Sequence, residues 1–434
     1  MRAIDVMGYL KRGAAKAKIW GQMVAGVGIV LCAILAASVS AKADQSVFRP
    51  FPQHQDYQQG ALLPSRWSQA QRDDDVRAFY QQWKADYLRK VDSSSGDVQY
   101  RVTFGHEQPE RTVSEGQGYG MMIAVLMAGA DLDARTIFDG LWRFARQWPS
   151  DIDPRLMGWQ VPPSKDGNDS AFDGDADIAF ALLMAADQWG DATYLTAART
   201  VIAAIGERTI GPDSRLPLLG DWVDPNGKEY DQWGTRPSDF MPEHFAAFKR
   251  ATGDPLWEEV RLRVLEVAKR LQRDVSPNTG LLPDFAIKEP EGQVHPAPPN
   301  YLEGYYDTAF YFNAARVPWR IASHALISGD PHAAEIARKM ASWMRARTGG
   351  DPGVIQSGYM LSGLPLPYES ENSTLFVAPM AVASMLLPGD YGAQEWLDDL
   401  YANIRDRHMD YYEDSVTLLC MLVLSGNSWS PAGR

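Results

Sequence analysis

Apolar residues recur with helical spacing in a dozen stretches of this chain, near 69–90, 117–129, 133–147, 176–188, 191–205 and 239–252, then 255–273, 308–327, 331–346, 374–386, 393–405 and 412–424. A repeat every three to four residues marks a helix that buries one face. Entry residues such as Asp133, Ser238-Asp239 and Asp254-Pro255 support several starts. Two-residue alternation is scarce outside short pieces such as 98–104. No Gly/Ser- or Pro-rich linker interrupts the succession, and no strict repeat of the tetratricopeptide kind runs through it. Paired helices in one unbroken run predict a single all-α toroid or solenoid of helical hairpins. In a closed ring each hairpin borrows its core from its neighbours, and the loops at one end gather into a cleft.

The first 43 residues stand outside that pattern. Arg2, Lys11, Arg12, Lys16 and Lys18 precede an apolar run over 19–39, followed by Ala41-Lys42-Ala43 and Asp44. Basic flank, apolar stretch and small-residue exit make a secretory signal at 1–43, leaving one domain at 44–434. The alternative is an uncleaved membrane anchor, since the run is near the ~17–25 residues that cross a bilayer; the exit site favours cleavage. Cys32 follows Val30-Leu31 without a small residue before it, which argues against lipid attachment. The expected location is the periplasm or the exterior, with no stable membrane partner.

Six of the 42 basic and one of the 55 acidic residues lie in 1–43, so the remainder carries a formal charge of −18. Such a surface repels phosphate backbones and excludes nucleic acid as a partner. It would attract a polycation, although acidic charge is also an ordinary aid to solubility. Cys420 alone remains after cleavage, in an apolar run, so no intrachain disulfide is available. The core must then hold the fold, and 45% hydrophobic residues with 14 Trp suffice for a large one. The seven His show no metal-ligand spacing; no metal or cofactor is expected, and the protein is expected to be a monomer.

Candidate chemistry gathers in three segments. Ser114-Glu115-Gly116-Gln117-Gly118-Tyr119-Gly120 places Glu115 at the entrance of a nearly apolar helix, with glycines that let backbone approach a bulky ligand. Desolvation there raises a carboxyl pKa while a helix N-terminus lowers it. If desolvation wins, Glu115 is a proton donor; taken alone, the segment favours a helix-capping Glu in a Gly-rich turn. In Asp173-Gly174-Asp175-Ala176-Asp177, Asp175 or Asp177 is a candidate cap, and a calcium loop is a weaker reading because the closing Glu is missing. The third segment runs from Leu282-Pro283-Asp284 through Tyr301-Leu302-Glu303-Gly304 to Asn313-Ala314-Ala315-Arg316-Val317-Pro318-Trp319-Arg320.

Together with Gly158-Trp159, Tyr411-Tyr412 and Ser425-Gly426, these segments resemble glycoside hydrolase family 8 over roughly residues 60–430. The Asp173-Gly174-Asp175-x-x-Ile178-Ala179-x-Ala181-Leu182-Leu183 run is the most specific match, and Phe172 stands where Ser or Thr is usual. The resemblance implies an (α/α)6 barrel and an inverting mechanism. It also implies that Glu115 is the proton donor and that Asp173 holds the sugar at the cleavage point. Many members carry the base Asp where this chain has Asn313, and an amide cannot take a proton from water. The chitosanase/lichenase branch shares that Asn and uses a Glu in the preceding loop, which implies Glu303 as base. Asp307, Glu289 and Glu291 are the other candidates.

Asn313 and Arg316 are expected to line the site. Trp159, Trp222, Trp233, Tyr305 and Tyr306 are candidate sugar-stacking rings, with Tyr368 and the Glu369–Glu371 stretch less favoured. The expected activity is endo-hydrolysis of a β-1,4-linked glucan, cellulose or mixed-linkage, with chitosan as the alternative substrate. A catalytically inactive polysaccharide-binding component of a polymer-export system and a polysaccharide lyase are readings from other classes.

Overall fold

The computed structural model describes residues 46–92, 96–164, 167–369 and 371–433. The leader read at 1–43 lies outside the described residues. The first six helices are α1 (Gln69–Tyr87), α2 (Ser114–Leu126), α3 (Ala134–Gln147), α4 (Phe172–Trp189), α5 (Ala192–Arg208) and α6 (Pro242–Thr252). The next six are α7 (Leu256–Asp274), α8 (Val317–Ser328), α9 (Pro331–Thr348), α10 (Thr374–Ser384), α11 (Ala393–Ile404) and α12 (Tyr411–Leu424).

The even-numbered helices form an inner ring in which α2 meets α4, α4 meets α6, and so on until α12 returns to α2. Each has an odd-numbered helix against its outer side: α3 on α2, α5 on α4, α7 on α6, α9 on α8, α11 on α10 and α1 on α12. This is an (α/α)6 barrel. Burial follows the layers. Every residue of α10 is buried, as is every residue of α2 except Glu115 and of α12 except Tyr412, because an inner helix is packed on all sides. Outer helices such as α3 and α7 keep a polar face toward solvent. No helix among the described residues is long and apolar enough to cross a membrane.

The glycines of the first motif serve helix packing. A Cβ on Gly118 would stand 2.7 Å from Asp177 Cβ and 3.1 Å from the Gly174 carbonyl, so α2 and α4 touch at backbone distance. One on Gly116 would stand 2.7 Å from the Tyr411 hydroxyl. These glycines therefore admit a neighbouring helix where a bulky ligand was expected.

Short strands edge the mouth of the ring. β1 (Leu88–Val91) pairs antiparallel with β2 (Gln99–Val102), and β3 (Thr112–Val113) pairs with β4 (Gln160–Val161). β5 (Gly234–Thr235), β6 (Ala286–Lys288) and β7 (Val294–Pro296) make a three-stranded antiparallel sheet in that order. Residues 88–90, expected at the end of a helix, are thus strand. The stretch 308–316 is loop and a single 3-10 turn rather than the start of α8. Ser238-Asp239 likewise belongs to a 3-10 turn ahead of α6. Neither Asp175 nor Asp177 caps α4, whose N-cap is Ala171. Asp175 accepts the Met157 amide, and Asp177 is buried between Arg320, at 2.8 and 2.5 Å, and His244, at 2.8 Å.

Candidate active site

The N-terminal ends of α2, α4 and α12 converge with the segment entering α8. Glu115 is the second residue of α2, and the β3–β4 pair fixes that end: the Ser114 amide donates to the Trp159 carbonyl at 2.9 Å. Asp173 is the second residue of α4. Between them lies Arg316, fully buried, whose Nη1 donates to Glu115 Oε2 at 2.7 Å and to Asp173 Oδ2 at 2.8 Å. Its Nη2 donates to Asn313 Oδ1 and to Ser238 Oγ, both at 3.0 Å. The Tyr411 hydroxyl donates to Glu115 Oε1 at 3.1 Å.

Glu303 enters from the loop after β7. Asn313 Nδ2 donates to its Oε2 at 2.7 Å, so one amide links Glu303 to Arg316. Asp307 shapes that loop by accepting the amides of Leu302, Glu303 and Gly304 at 2.8, 3.0 and 2.9 Å. Asp284 does the same for the next segment, accepting the amides of Tyr311, Asn313 and Ala314 at 3.0, 3.2 and 2.7 Å. Asp307 and Asp284 are therefore braces on the backbone that carries Glu303, Asn313 and Arg316. Of the other candidate bases, Glu289 pairs with His295 in the β6–β7 hairpin, and Glu291 lies at its exposed turn.

The carboxyl groups have been driven apart in proton affinity. Burial pushes Glu115 up to about 7; Arg316 opposes this and the charge on Asp173 adds to it. Burial would also raise Asp173, yet Arg236 and Arg316 hold it below the ordinary carboxylate range. Glu303 is raised by burial against the pull of Arg236 and the Asn313 amide. Side-chain exposure separates the three as well: Glu115 at 18% and Glu303 at 24% are partly open, and Asp173 at 3% is nearly covered. The ring mouth thus offers one protonated and one ionisable carboxyl group on either side of a buried guanidinium bridge.

The aromatic residues singled out in the sequence differ in their settings. Trp159 and Trp233 are half-buried, and Lys288 covers one face of Trp233 at 4.6 Å. Trp222 is half-buried in a separate small apolar cluster with Tyr230. Tyr305 is 63% exposed and packs edge-on to Tyr306, whose hydroxyl reaches the Pro367 carbonyl; Tyr368 beside it is fully exposed. Sequence reasoning missed Arg236 and Asp239. Arg236 lies 3.5 Å from Asp173, 3.2 Å from Asp239 and 3.7 Å from Glu303. An Arg and an Asp three residues apart, around Pro237 in a Trp-rich loop, was the available signal.

An (α/α)6 barrel with carboxyl groups gathered at its mouth fits a glycoside hydrolase, and comparison of the sequence shows that class. The sequence profile of the Glycosyl hydrolases family 8 matches residues 51–426, and the chain belongs to that family. It is 37% identical to a beta-glucanase of Niallia circulans over 88% of this chain and 91% of that one. It is 38% identical to an endoglucanase of Bacillus sp. (strain KSM-330) over 91% and 84%. Its fold superposes on the apo structure of a beta-1,3-1,4-glucanase from Paenibacillus sp. X4 with a TM-score of 0.83, at 36% identity, covering 89% of this chain and all of the other.

Proposed function

We propose that this protein is an inverting endo-β-glucanase that cuts β-1,4 bonds in cellulose or mixed-linkage glucan. The observation that carries the reading is one connected cluster at the ring mouth, in which Arg316 bonds Glu115 directly and Glu303 through Asn313, while burial pushes Glu115 up to about 7. Glu115 protonates the leaving oxygen as general acid. Glu303, oriented by Asn313, takes the proton of a water that attacks the opposite face of the sugar ring, as inversion requires. Asp173 holds hydroxyls of the sugar at the cleavage point, and Trp159, Trp233, Tyr305 and Tyr306 offer ring faces to flanking sugars. Arg316 keeps the acid and the sugar-holding carboxylate in register. The β-glucanase relatives support a glucan as substrate. Chitosan is the second reading, favoured by the Asn313–Glu303 pair and the acidic charge of the chain.

The leader-like sequence at 1–43 supports export to the periplasm or beyond. The test of the whole reading is hydrolysis of carboxymethylcellulose, lichenan, chitosan and xylan, with the first product's anomer read by NMR. Release of the α-anomer from lichenan is expected; a β-anomer overturns inversion. Near-wild-type turnover by Glu303→Gln overturns the base assignment.

A further inference from the structure

Arg316 touches the acid and the sugar-holding carboxylate but reaches Glu303 only by way of Asn313. A second cation stands on the other side. Arg236 precedes the 3-10 turn Pro237–Asp239, with its side chain 10% exposed. Its nitrogens lie 3.7 Å from Glu303 Oε1, 3.5 Å from Asp173 Oδ1 and 3.2 Å from Asp239 Oδ2. From these contacts we infer that Arg236 is a positioning residue that keeps the base Glu303 ionised and aimed, with Asp239 as its anchor.

The inference rests on the reading of Glu303 as base. The charged groups facing this cluster come from every element packed on it: Glu115 from α2, Asp173 from α4, Arg316 ahead of α8, Asp307 and Glu303 from the loop after β7, and Asp284 beneath Asn313. Three carboxylates share Arg236, which would divide its charge. Asp239, however, is fully buried and its Oδ1 has no hydrogen-bond partner. An unpartnered buried carboxylate oxygen is poorly suited to negative charge. Burial accordingly pushes Asp239 up to about 7, with Arg236 opposing. Below neutral pH Asp239 holds its proton and still accepts from Arg236 Nε, so it fixes the guanidinium without cancelling it. The charge is then left to Asp173 and Glu303. Asp173 keeps a direct bond to Arg316 when Arg236 is removed, whereas Glu303 keeps a neutral amide in contact and only the more remote charge of Arg316.

An opposite charge within ~4–6 Å lowers a carboxyl pKa by about one unit or more. In Arg236→Gln the acid limb of kcat/KM on lichenan is therefore expected to move up by about one pH unit. Arg236→Lys, which restores the charge, should return it toward the wild-type position. Thermal midpoints accompany each profile, because a merely structural role lowers the midpoint without moving the limb. Should the Gln variant fail to fold, Arg236→Met, an apolar side chain for a buried site, gives the same readout. A folded neutral variant with an unmoved acid limb overturns the inference. Glu303→Gln is run alongside: if it is inactive while the limb stays put, only the role of Arg236 falls. If it is active, the base assignment falls and this inference with it.

Discussion

Asn313 donates to Glu303 Oε2 at 2.7 Å while its own carbonyl oxygen accepts from Arg316 at 3.0 Å, so a residue that cannot act as a base holds the one that can. A hydrogen bond to a charged group is worth about 1.5–3 kcal/mol. Asn313→Ala should lower kcat/KM by about 10- to 100-fold with a small change in thermal midpoint, measured by steady-state kinetics and calorimetry.

In the proposed mechanism Glu115 acts protonated and Glu303 ionised, which predicts a bell-shaped pH profile. Activity should fall as pH rises through about 7, the value to which burial pushes Glu115, and fall again in acid at a pH above the ordinary Glu value of 4.5. Glu115→Gln should cost about 10²- to 10⁴-fold in kcat and abolish the alkaline limb. A retained limb at about 7 would reassign it.

The same raised value has a stability consequence. A carboxyl group that binds its proton more tightly folded than unfolded stabilises the fold below the unfolded value and loses that contribution as pH rises through the folded value. The thermal midpoint of the wild type should therefore fall, relative to Glu115→Gln, between pH 5 and pH 8. Parallel midpoints across that range would contradict the burial argument.

Asp307 accepts three consecutive backbone amides beneath Glu303 and touches no other part of the proposed machinery. Asp307→Ala frees the loop, so kcat should drop by about tenfold or more for a lost constraint of ~1–3 kcal/mol. Hydrogen exchange at residues 302–304 should rise while the α2 and α4 amides stay protected.

The pair Asp177–Arg320 lies one helical turn beneath the site and is fully enclosed. Removing one partner strands the other charge, a cost of about 3–5 kcal/mol. Asp177→Leu should show this as a large fall in thermal midpoint; an apolar replacement of Asp177 and Arg320 together should recover only part of it, because His244 also loses its partner.

Helical periodicity carried the outer ring, where helices such as α3 bury one face, and length carried the inner one, where α10 and α12 are apolar runs too long for strands. It failed where apolar residues are held by polar braces. Ala309–Phe312 reads as helix, yet Asp284 draws the amides of Tyr311, Asn313 and Ala314 into a loop, and that acceptor lies 27 residues upstream of the first of them. Glu115, Asp173 and Glu303 stood out as candidates because they sit in motif-like runs, whereas Arg236 meets Asp173 and Glu303 from 63 and 67 positions away in the chain. Glycines 116 and 118 show the converse failure: a spacing that suggests a ligand records the approach of a neighbouring helix.

Ring closure also sets when this protein can begin to work. Glu115 is held by Arg316, 201 residues later, and by Tyr411, 296 residues later. A chain still being synthesised, or one clipped before α12, leaves the ring open beside the acid and lacks the Tyr411 hydroxyl that holds its second oxygen. Activity is thus a late event in the life of each molecule, and its appearance during refolding should coincide with the docking of the last helix on the first of the inner ring.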